Sequence, residues 1–228
     1  MIDVLRFTSS AAYALANGAR SIAPCATLDE ARAYAPGALL AGERLGVRPE
    51  GFDLGNSPLE FTHDVVQGRD IAWSTTNGTQ ALSFLVPHPI PRPFASTSSP
   101  FRDVLLASYV NLSAVTLLLA PRVEGDATVA IVCAGRDGGF ALEDAACAGA
   151  LVRRLRNAVG DRLTMNDGAR ACACIDEAYG EDFARLFRDA QHGRFLGEHG
   201  FGADLPACAA LDAVRVVPRW DGGRFVAG

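Results

Sequence analysis

The sequence predicts an α/β fold, and three observations support that prediction. Short apolar runs alternate with alanine-rich amphipathic stretches along the chain, which is the pattern of strands joined by helices. Hydrophobic residues make up 49% of the 228 residues, enough to bury a sizeable core as one domain or as two small ones. Charged residues make up 21%, a proportion typical of globular proteins and not of disordered ones.

The elements alternate from the first residue onward. Apolar runs of strand length predict strands at residues 1–5, 21–25, 38–41, 70–74, 104–108, 128–133 and 214–217. Amphipathic spacing predicts helices at residues 9–19, 28–34, 80–85, 112–119, 142–159, 167–179 and 181–189. Thr27 is placed to cap the second helix, and Asn17-Gly18 closes the first.

One segment breaks this alternation. Residues 87–100 contain five prolines and the run Ser96-Thr97-Ser98-Ser99. Neither a helix nor a central strand tolerates this composition, because each proline removes a backbone N–H donor. We expect a Pro-rich surface loop here, and a lid over a site is the alternative.

Charge and residue type exclude several kinds of function. The net charge of -5 argues against nucleic acid as a partner, since phosphate backbones attract basic surfaces. All 21 basic residues are arginine, so a Schiff-base lysine, a Walker-A lysine and a lysine general base are excluded. Any anion must therefore be held by arginine, backbone N–H groups or a metal ion.

The cysteines and the apolar runs indicate a cytoplasmic protein without a membrane partner. No apolar run approaches the ~20 residues of a membrane span, and no signal peptide is recognisable. Cys172-Ala-Cys174 lacks the spacing of a zinc site. Cys133 follows a predicted strand, but Gly139 stands where a Cys-x5-Arg phosphatase loop would need arginine, so a small buried thiol is the favoured interpretation. We expect scattered buried thiols at Cys25, Cys133, Cys147, Cys172, Cys174 and Cys208.

Four polar clusters each follow a predicted strand. Because ligands of parallel α/β sheets bind outside the carboxyl ends of the strands, we expect these clusters to share one crevice. Carboxylates for a hard cation, together with arginines for an anionic substrate, suit metal-assisted phosphoryl hydrolysis. The clusters are Asp3 with Arg6, Glu43 with Arg44, Thr75-Thr76-Asn77-Gly78-Thr79, and Cys133-Ala134-Gly135 with Glu143 and Asp144.

Each cluster also has a structural explanation. Asp3 lies in an apolar run, where a buried carboxylate needs a metal ion or a partner such as Arg6. The pair Glu43-Arg44 could be an ordinary surface pair, and residues 75–79 could be only a turn. The acidic residues at 143 and 144 also suit a helix N-terminus through the helix dipole alone. In the loop at residues 51–58, Asp53 could simply order the loop for Asn56 and Ser57.

Taken in order, these runs resemble the 2-phosphosulfolactate phosphatase family, the ComB-like proteins. The resemblance extends nearly from end to end. The matching runs are Ile2-Asp3-Val4-Leu5-Arg6, Ala14-Leu15-Ala16-Asn17-Gly18-Ala19, Leu40-Ala41-Gly42-Glu43-Arg44, Gly51-Phe52-Asp53-Leu54-Gly55-Asn56-Ser57-Pro58, Thr75-Thr76-Asn77-Gly78-Thr79, Asn111-Leu112-Ser113-Ala114, Val132-Cys133-Ala134-Gly135, Glu143-Asp144, Cys147-Ala148-Gly149-Ala150 and His192-Gly193-Arg194.

The resemblance implies a fold, an activity and a set of site residues. The fold is a three-layer α/β/α domain over residues 1–228 with a mixed, mostly parallel sheet. The activity is Mg²⁺-dependent hydrolysis of 2-phospho-3-sulfolactate to 3-sulfolactate and phosphate, a step toward coenzyme M. The implied residues are Asp3, Arg6, Glu43, Arg44 and Asp144 for catalysis, Asp3, Glu43 and Asp144 for the metal, and Asn56, Ser57, Thr76, Asn77, Gly78, Thr79 and Gly135 for the small anionic substrate.

Departures from the family pattern leave alternatives open. Here the Ile-Asp-Val-Leu-Arg run directly follows Met1, so we expect the family's first N-terminal strand to be missing. The alternatives are a phosphatase of another small phosphorylated hydroxy acid and a non-catalytic anion-binding relative. Attack on phosphorus by Asp3 or by water, and assembly into a homo-oligomer, are also open.

Overall fold

A computed structural model of the chain describes residues 1–86, 101, 103–125 and 127–228. The strands in this part are β1 (Ser21–Pro24), β2 (Leu39–Gly42), β3 (Asp70–Ser74), β4 (Pro218–Trp220) and β5 (Phe225–Ala227). The helices are α1 (Phe7–Ala16), α2 (Leu28–Arg32), α3 (His63–Val66), α4 (Gly78–Leu82), α5 (Leu112–Glu124), α6 (Leu142–Val159), α7 (Asp167–Tyr179), α8 (Phe183–Asp189), α9 (Gln191–Glu198) and α10 (Asp204–Ala209).

The five strands form one mixed sheet in the order β2-β3-β1-β5-β4. β1, β2 and β3 are parallel, whereas β5 is antiparallel to both of its neighbours, β1 and β4. Beyond β4 the sheet continues through extended segments that pair at single positions. Leu105 lies antiparallel to Arg219, and Ile2 lies between Ala107 and Cys133, parallel to both. A C-terminal antiparallel hairpin therefore separates two parallel groups.

Apolar side chains cover both faces of the sheet, because successive strand residues point to opposite sides. Ile71 and Trp73 belong to a cluster with α1, in which Phe7 and Phe61 pack on Trp73 at ring-centroid distances of 5.3 and 4.3 Å. Ala72, between them in sequence, packs toward α2 on the opposite face. A third cluster joins the extended segments to α5, α6, α8 and α9. The predicted three-layer α/β/α fold with a mixed sheet is confirmed.

Several predicted boundaries were wrong. The segments 1–5, 104–108 and 128–133 form no regular strand and pair only at single positions. The first of them is cut short because the chain turns at residues 4–6 to enter α1. The predicted strand at 214–217 lies just before the observed β4, whose register is set by β5. α5 continues through Pro121 to Glu124, well past the predicted end at residue 119. The short elements α3, α9, α10 and β5 were not predicted.

Two further predictions concern loops and membranes. The Pro-rich segment 87–100 lies outside the described residues. In the part of the chain that the structure describes, no helix combines the length and the apolar character needed to cross a bilayer.

Candidate active site

The loops that follow residues 1–2, β2 and β3 meet at one small crevice, as the sequence predicted. Its volume is about 30 Å³, far below the ~300 Å³ of a pocket that encloses a whole small molecule. The crevice as it stands has room for a small group and not for a whole small molecule. The lining residues are Asp3, Leu5, Arg6, Glu43, Gly46, Asn56, Thr75, Asn77 and His192.

Asp3 is a buried carboxylate with one oxygen left unpaired. Its Oδ1 accepts a hydrogen bond from the Phe7 N–H at 3.4 Å, and no donor to Oδ2 is found among the described residues. Burial raises the pKa of Asp3 to about 7, and the nearby His192 acts against this shift. A Cβ on Gly78 would lie 2.6 Å from Oδ2, so glycine is what allows the loop at residues 75–79 to lie against Asp3.

Glu43 joins the loops that follow β2 and β3. Its Oε1 accepts a hydrogen bond from the Thr76 N–H at 2.6 Å, and its Oε2 accepts one from the Gly46 N–H at 2.9 Å. The side chain is buried. Leu45 and Gly46 both have positive φ, 53° and 80°, in a two-residue turn that the paired backbone of Arg44 and Val47 closes. Glu43 therefore fixes the geometry of this side of the crevice.

The two predicted arginines differ in how their charges are compensated. The buried Arg6 donates from Nη1 to Asp204 at 2.6 Å and from Nη2 to the Gly46 carbonyl at 2.8 Å. Its guanidinium also lies 4.4 Å from the centroid of the Phe201 ring. Arg44 donates only to the Glu43 and Ser74 carbonyls and to the Ser74 hydroxyl. No carboxylate pairs with Arg44 within the described ranges, so its charge is available to an anion, whereas that of Arg6 is neutralised.

Asp144 links the N-terminal segment to the loop that contains Gly135. Its Oδ1 accepts a hydrogen bond from the Val4 N–H at 2.8 Å, and its Oδ2 accepts one from the Gly135 N–H at 3.1 Å. Burial, followed by the neighbouring Asp3 and Glu143, raises the pKa of Asp144 well above its usual range. The predicted substrate donor at Gly135 is thus already engaged with a carboxylate.

Two predicted substrate ligands stabilise loops instead of facing a ligand. The Ser57 hydroxyl donates to Asp204 at 2.5 Å and accepts from the Leu59 N–H. The Thr79 hydroxyl donates to the Thr75 carbonyl at 2.8 Å. Asp53 accepts a hydrogen bond from the Leu40 N–H, which agrees with the interpretation that it orders its loop.

Several other predicted substrate-binding residues have polar atoms that form no hydrogen bond within the described part of the protein. Asn56 Oδ1 and Thr76 Oγ1 are buried, and neither has a hydrogen-bond partner among the residues that the structure describes. Asn77 Oδ1 accepts a hydrogen bond from the Asp137 N–H at 3.0 Å, which connects two loops across the crevice. The backbone N–H groups of Asn77 and Gly78 have no acceptor in the described part of the chain. A buried polar group without a partner is costly, so a ligand that supplies partners is favoured.

The side-chain oxygen atoms of the crevice suit Mg²⁺, although the described residues do not form a complete coordination shell. Among the residues that the structure describes, no three His, Cys, Asp or Glu side chains lie close enough together to hold one ion. Mg²⁺ needs only one or two carboxylates when water and substrate phosphate complete its shell. Asp3 Oδ2 and Asn56 Oδ1 fit that requirement. Glu43 and Asp144 each accept two backbone N–H groups, and their role as ligands stays a prediction.

The structure adds His192 and Asp204 to the site, and it brings Glu143, which the sequence had placed in a polar cluster, into contact with His192. His192 lines the crevice, and its Nδ1 lies 3.6 Å from Oε1 of the buried Glu143. Asp204 pairs with Arg6 beneath the crevice. The run His192-Gly193-Arg194 was the available signal for the histidine. A Cβ on Gly193 would lie 2.1 Å from a backbone oxygen of α8, so this run marks a close approach. No sequence signal indicated Asp204.

The thiols take no visible part in the site. All six cysteines are free, and Cys174 is exposed where a buried thiol was expected. Burial raises the pKa of the Cys133 thiol to about 12, which disfavours the thiolate that a nucleophile needs. Cys133 is half-buried where a buried thiol was expected, and its raised pKa disfavours a role as nucleophile.

A larger cavity of about 580 Å³ lies beside α5 and residues 127–132. None of the predicted site residues lines it, and its charged side chains, Asp103, Arg122 and Arg219, are paired with one another. It borders Leu85 and Phe101, which flank the undescribed residues 87–100. The side chains that suit the predicted chemistry therefore line the smaller crevice and not this cavity.

Comparison with known proteins identifies relatives over the whole chain. A family model described as 2-phosphosulpholactate phosphatase matches residues 1–223. A probable 2-phosphosulfolactate phosphatase of Thermotoga petrophila is 36% identical over 227 residues, which cover 99% of this chain and 90% of that protein. Proteins of the same name from Gloeobacter violaceus and from Synechococcus sp. (strain JA-2-3B'a(2-13)) are 40% and 41% identical, each over 96% of this chain and 86% of the relative.

Proposed function

The chain belongs to the 2-phosphosulpholactate phosphatase family, and on that basis we propose that it hydrolyses 2-phospho-3-sulfolactate to 3-sulfolactate and phosphate with Mg²⁺. One observation carries the proposal. Asp3 is buried with an unpaired oxygen directly against the glycine-containing loop at residues 75–79. An uncompensated carboxylate beside free N–H donors suits a cation and a phosphoryl group together.

The anionic groups of the substrate need positively charged side chains and N–H donors, and the crevice supplies both. We assign Arg44 to an anionic group of the substrate, since no carboxylate neutralises it among the described side chains. The free N–H groups of Asn77 and Gly78 are assigned to the phosphoryl oxygens. Arg6 is paired with Asp204, and its role is to stabilise the side of the crevice that it lines.

Mg²⁺ would be held by Asp3 and the side-chain oxygen of Asn56, with water and substrate phosphate in the remaining positions. The bound ion would polarise the phosphoryl oxygens and offset their negative charge. Asp3 either binds the ion or attacks the phosphorus, and both roles need an oxygen free of protein partners. Glu43 and Asp144 orient the surrounding loops through the backbone N–H groups that they accept.

The test is a phosphate-release assay on 2-phosphosulfolactate, with Mg²⁺ and with the metal removed by EDTA. A parallel panel contains 2-phospholactate and 3-phosphoglycerate, which lack the sulfonate. We expect release only with Mg²⁺ and fastest on the sulfonated substrate. Equal turnover across the panel would indicate a phosphatase of broader specificity. Phosphate release in EDTA would refute the requirement for Mg²⁺. Binding of the substrate without phosphate release would indicate an anion-binding relative.

Three broader proposals accompany this activity. The product lies on the route to coenzyme M that the resemblance implies, and we place the chain at that step. A cytoplasmic location is supported by six free thiols, and absence of nucleic-acid binding by the net charge of -5. Light scattering of the purified protein would determine whether it forms a homo-oligomer.

A further inference from the structure

His192 occupies a fixed position in the crevice, far in sequence from the other lining residues. It lies in the first turn of α9, and only 16% of its side chain is exposed. Gly193 lets this turn press against the end of α8, because a Cβ there would lie 2.1 Å from the Phe187 carbonyl oxygen. Arg136 holds the same turn from the other side, donating to the Gln191 carbonyl at 3.2 Å. Two neighbours therefore determine where the imidazole stands.

Glu143 orients this imidazole. Its carboxylate is 2% exposed, and its Oε1 lies 3.6 Å from His192 Nδ1. With Nδ1 directed to Glu143, the second ring nitrogen remains, and no protein group bonds to Nε2 in the described part of the chain. Asp3 is the other acidic group whose charge His192 feels across the crevice. A carboxylate behind one nitrogen and an open second nitrogen are the arrangement of a proton-transferring histidine.

The reaction needs such a group at the leaving oxygen. Cleavage of a phosphate ester leaves charge on the bridging oxygen, and an alkoxide is a poor leaving group unless it is protonated. Of the ionisable side chains that line the crevice, Arg6 cannot release a proton and Glu43 accepts backbone hydrogen bonds at both oxygens. Asp3 is assigned to the metal or the phosphorus. His192 is the group that remains.

We propose that His192 is the general acid that protonates the leaving oxygen of the substrate, with Glu143 as its positioning residue. This role rests on the proposed phosphatase function. The bond between phosphorus and the bridging oxygen breaks, its electron pair stays on that oxygen, and the Nε2 proton passes to it to form the hydroxyl group of the product. For attack by water, the imidazolium form of His192, water and the phosphate dianion ester give neutral His192, the alcohol and dihydrogen phosphate, which then loses a proton to solvent. The neutral imidazole regains its proton from solvent.

The test compares leaving groups in the full-length His192→Gln protein with Mg²⁺. We expect kcat on 2-phosphosulfolactate, an alkyl phosphate, to fall roughly 10²–10⁴-fold, the usual contribution of general acid catalysis. On p-nitrophenyl phosphate, whose leaving group is stable as an anion, the fall should stay below about tenfold, because no proton donor is needed there. Glu143→Gln should show the same selectivity in a weaker form.

Controls separate this role from a structural one. His63→Gln changes a histidine whose side chain is 60% exposed and lies outside the crevice, and it should leave both rates unchanged. Circular dichroism and Tm establish that each variant folds. An equal fall on both substrates, or no fall on either, would overturn the role of His192 while leaving the phosphatase function intact. If the wild-type protein cleaves 2-phospholactate but not 2-phosphosulfolactate, the proposed substrate fails, and the same comparison is made with 2-phospholactate.

Discussion

Replacing Asp3 with Asn should increase the stability of the metal-free protein while abolishing its activity. The folded protein ionises this carboxyl at a pKa of about 7, against 3.8 as its ordinary value. The difference of about 3.2, at about 1.4 kcal/mol per pKa unit, means that ionised Asp3 lowers the free energy of unfolding by about 4 kcal/mol at pH 8. Asn keeps an oxygen for the Phe7 N–H and introduces no charge.

The sign of the pH dependence follows from which state holds the proton. Between the two pKa values the folded state retains a proton that the unfolded chain has released, so wild-type stability falls as pH rises from about 4 to about 7. The stabilisation of Asp3→Asn should therefore grow from roughly 1–2 kcal/mol at pH 5 to about 4 kcal/mol at pH 8. Adding Mg²⁺ should reduce the difference in stability between Asp3→Asn and the wild type, because the ion stabilises the ionised carboxylate of the wild type.

The measurement is urea denaturation of both proteins in EDTA at pH 5 and pH 8, with phosphate release measured alongside. Asp64→Asn, at a side chain that is fully exposed, is the matched control and should change neither property. An Asp3→Asn protein that is no more stable than wild type at pH 8, or equally stabilised at both pH values, would refute the account of Asp3 as a buried, uncompensated carboxylate. Near-normal phosphate release would refute its catalytic assignment.

Three other changes test the site. Gly78→Ala should destabilise the protein by roughly 1–3 kcal/mol and reduce turnover, because its Cβ would lie 2.6 Å from a carboxylate oxygen; Gly197→Ala, in open space on α9, is the control in the same urea assay and should be neutral. Asp204→Asn should cost roughly 3–5 kcal/mol by leaving Arg6 buried without its partner. A double-mutant cycle that also replaces Arg6 should be strongly non-additive. Cys133→Ser should retain phosphate release, and a loss beyond tenfold would return the thiol to the mechanism.

The convergence of Asp3, Glu43 and residues 75–79 was predictable from the sequence because it depends on strand order and local composition. Asp3 stands out as a charge within an apolar run, and burial without a partner is costly. The predicted convergence of Asp3, Glu43 and residues 75–79 was correct, and the closeness of Gly78 to the carboxylate agrees with it. The strand predicted at residues 1–5 was wrong, since pairing at the single residue Ile2 leaves too little sequence pattern to distinguish a strand from a turn.

The division of roles among the site residues was not predictable. Arg6 and Arg44 look alike in sequence, but only the structure brings Asp204, which lies 198 residues from Arg6, to one of them. Glu143 sits where the helix dipole already explains an acidic residue, so its contact with His192 carries no local signal. Contacts between segments that are distant in sequence determine which polar atoms form hydrogen bonds within the protein and which remain available to a ligand.

The C-terminal hairpin has a consequence for how the chain folds. β5 pairs with β1, and β4 pairs with the segment around Leu105, so residues 218–227 connect the two parallel groups of the sheet. The two groups can form separately, because among the described residues only this hairpin joins them through sheet hydrogen bonds. Pairings between positions so distant in sequence are slow to form. The crevice, which draws residues from both groups, is therefore completed only at the end of folding.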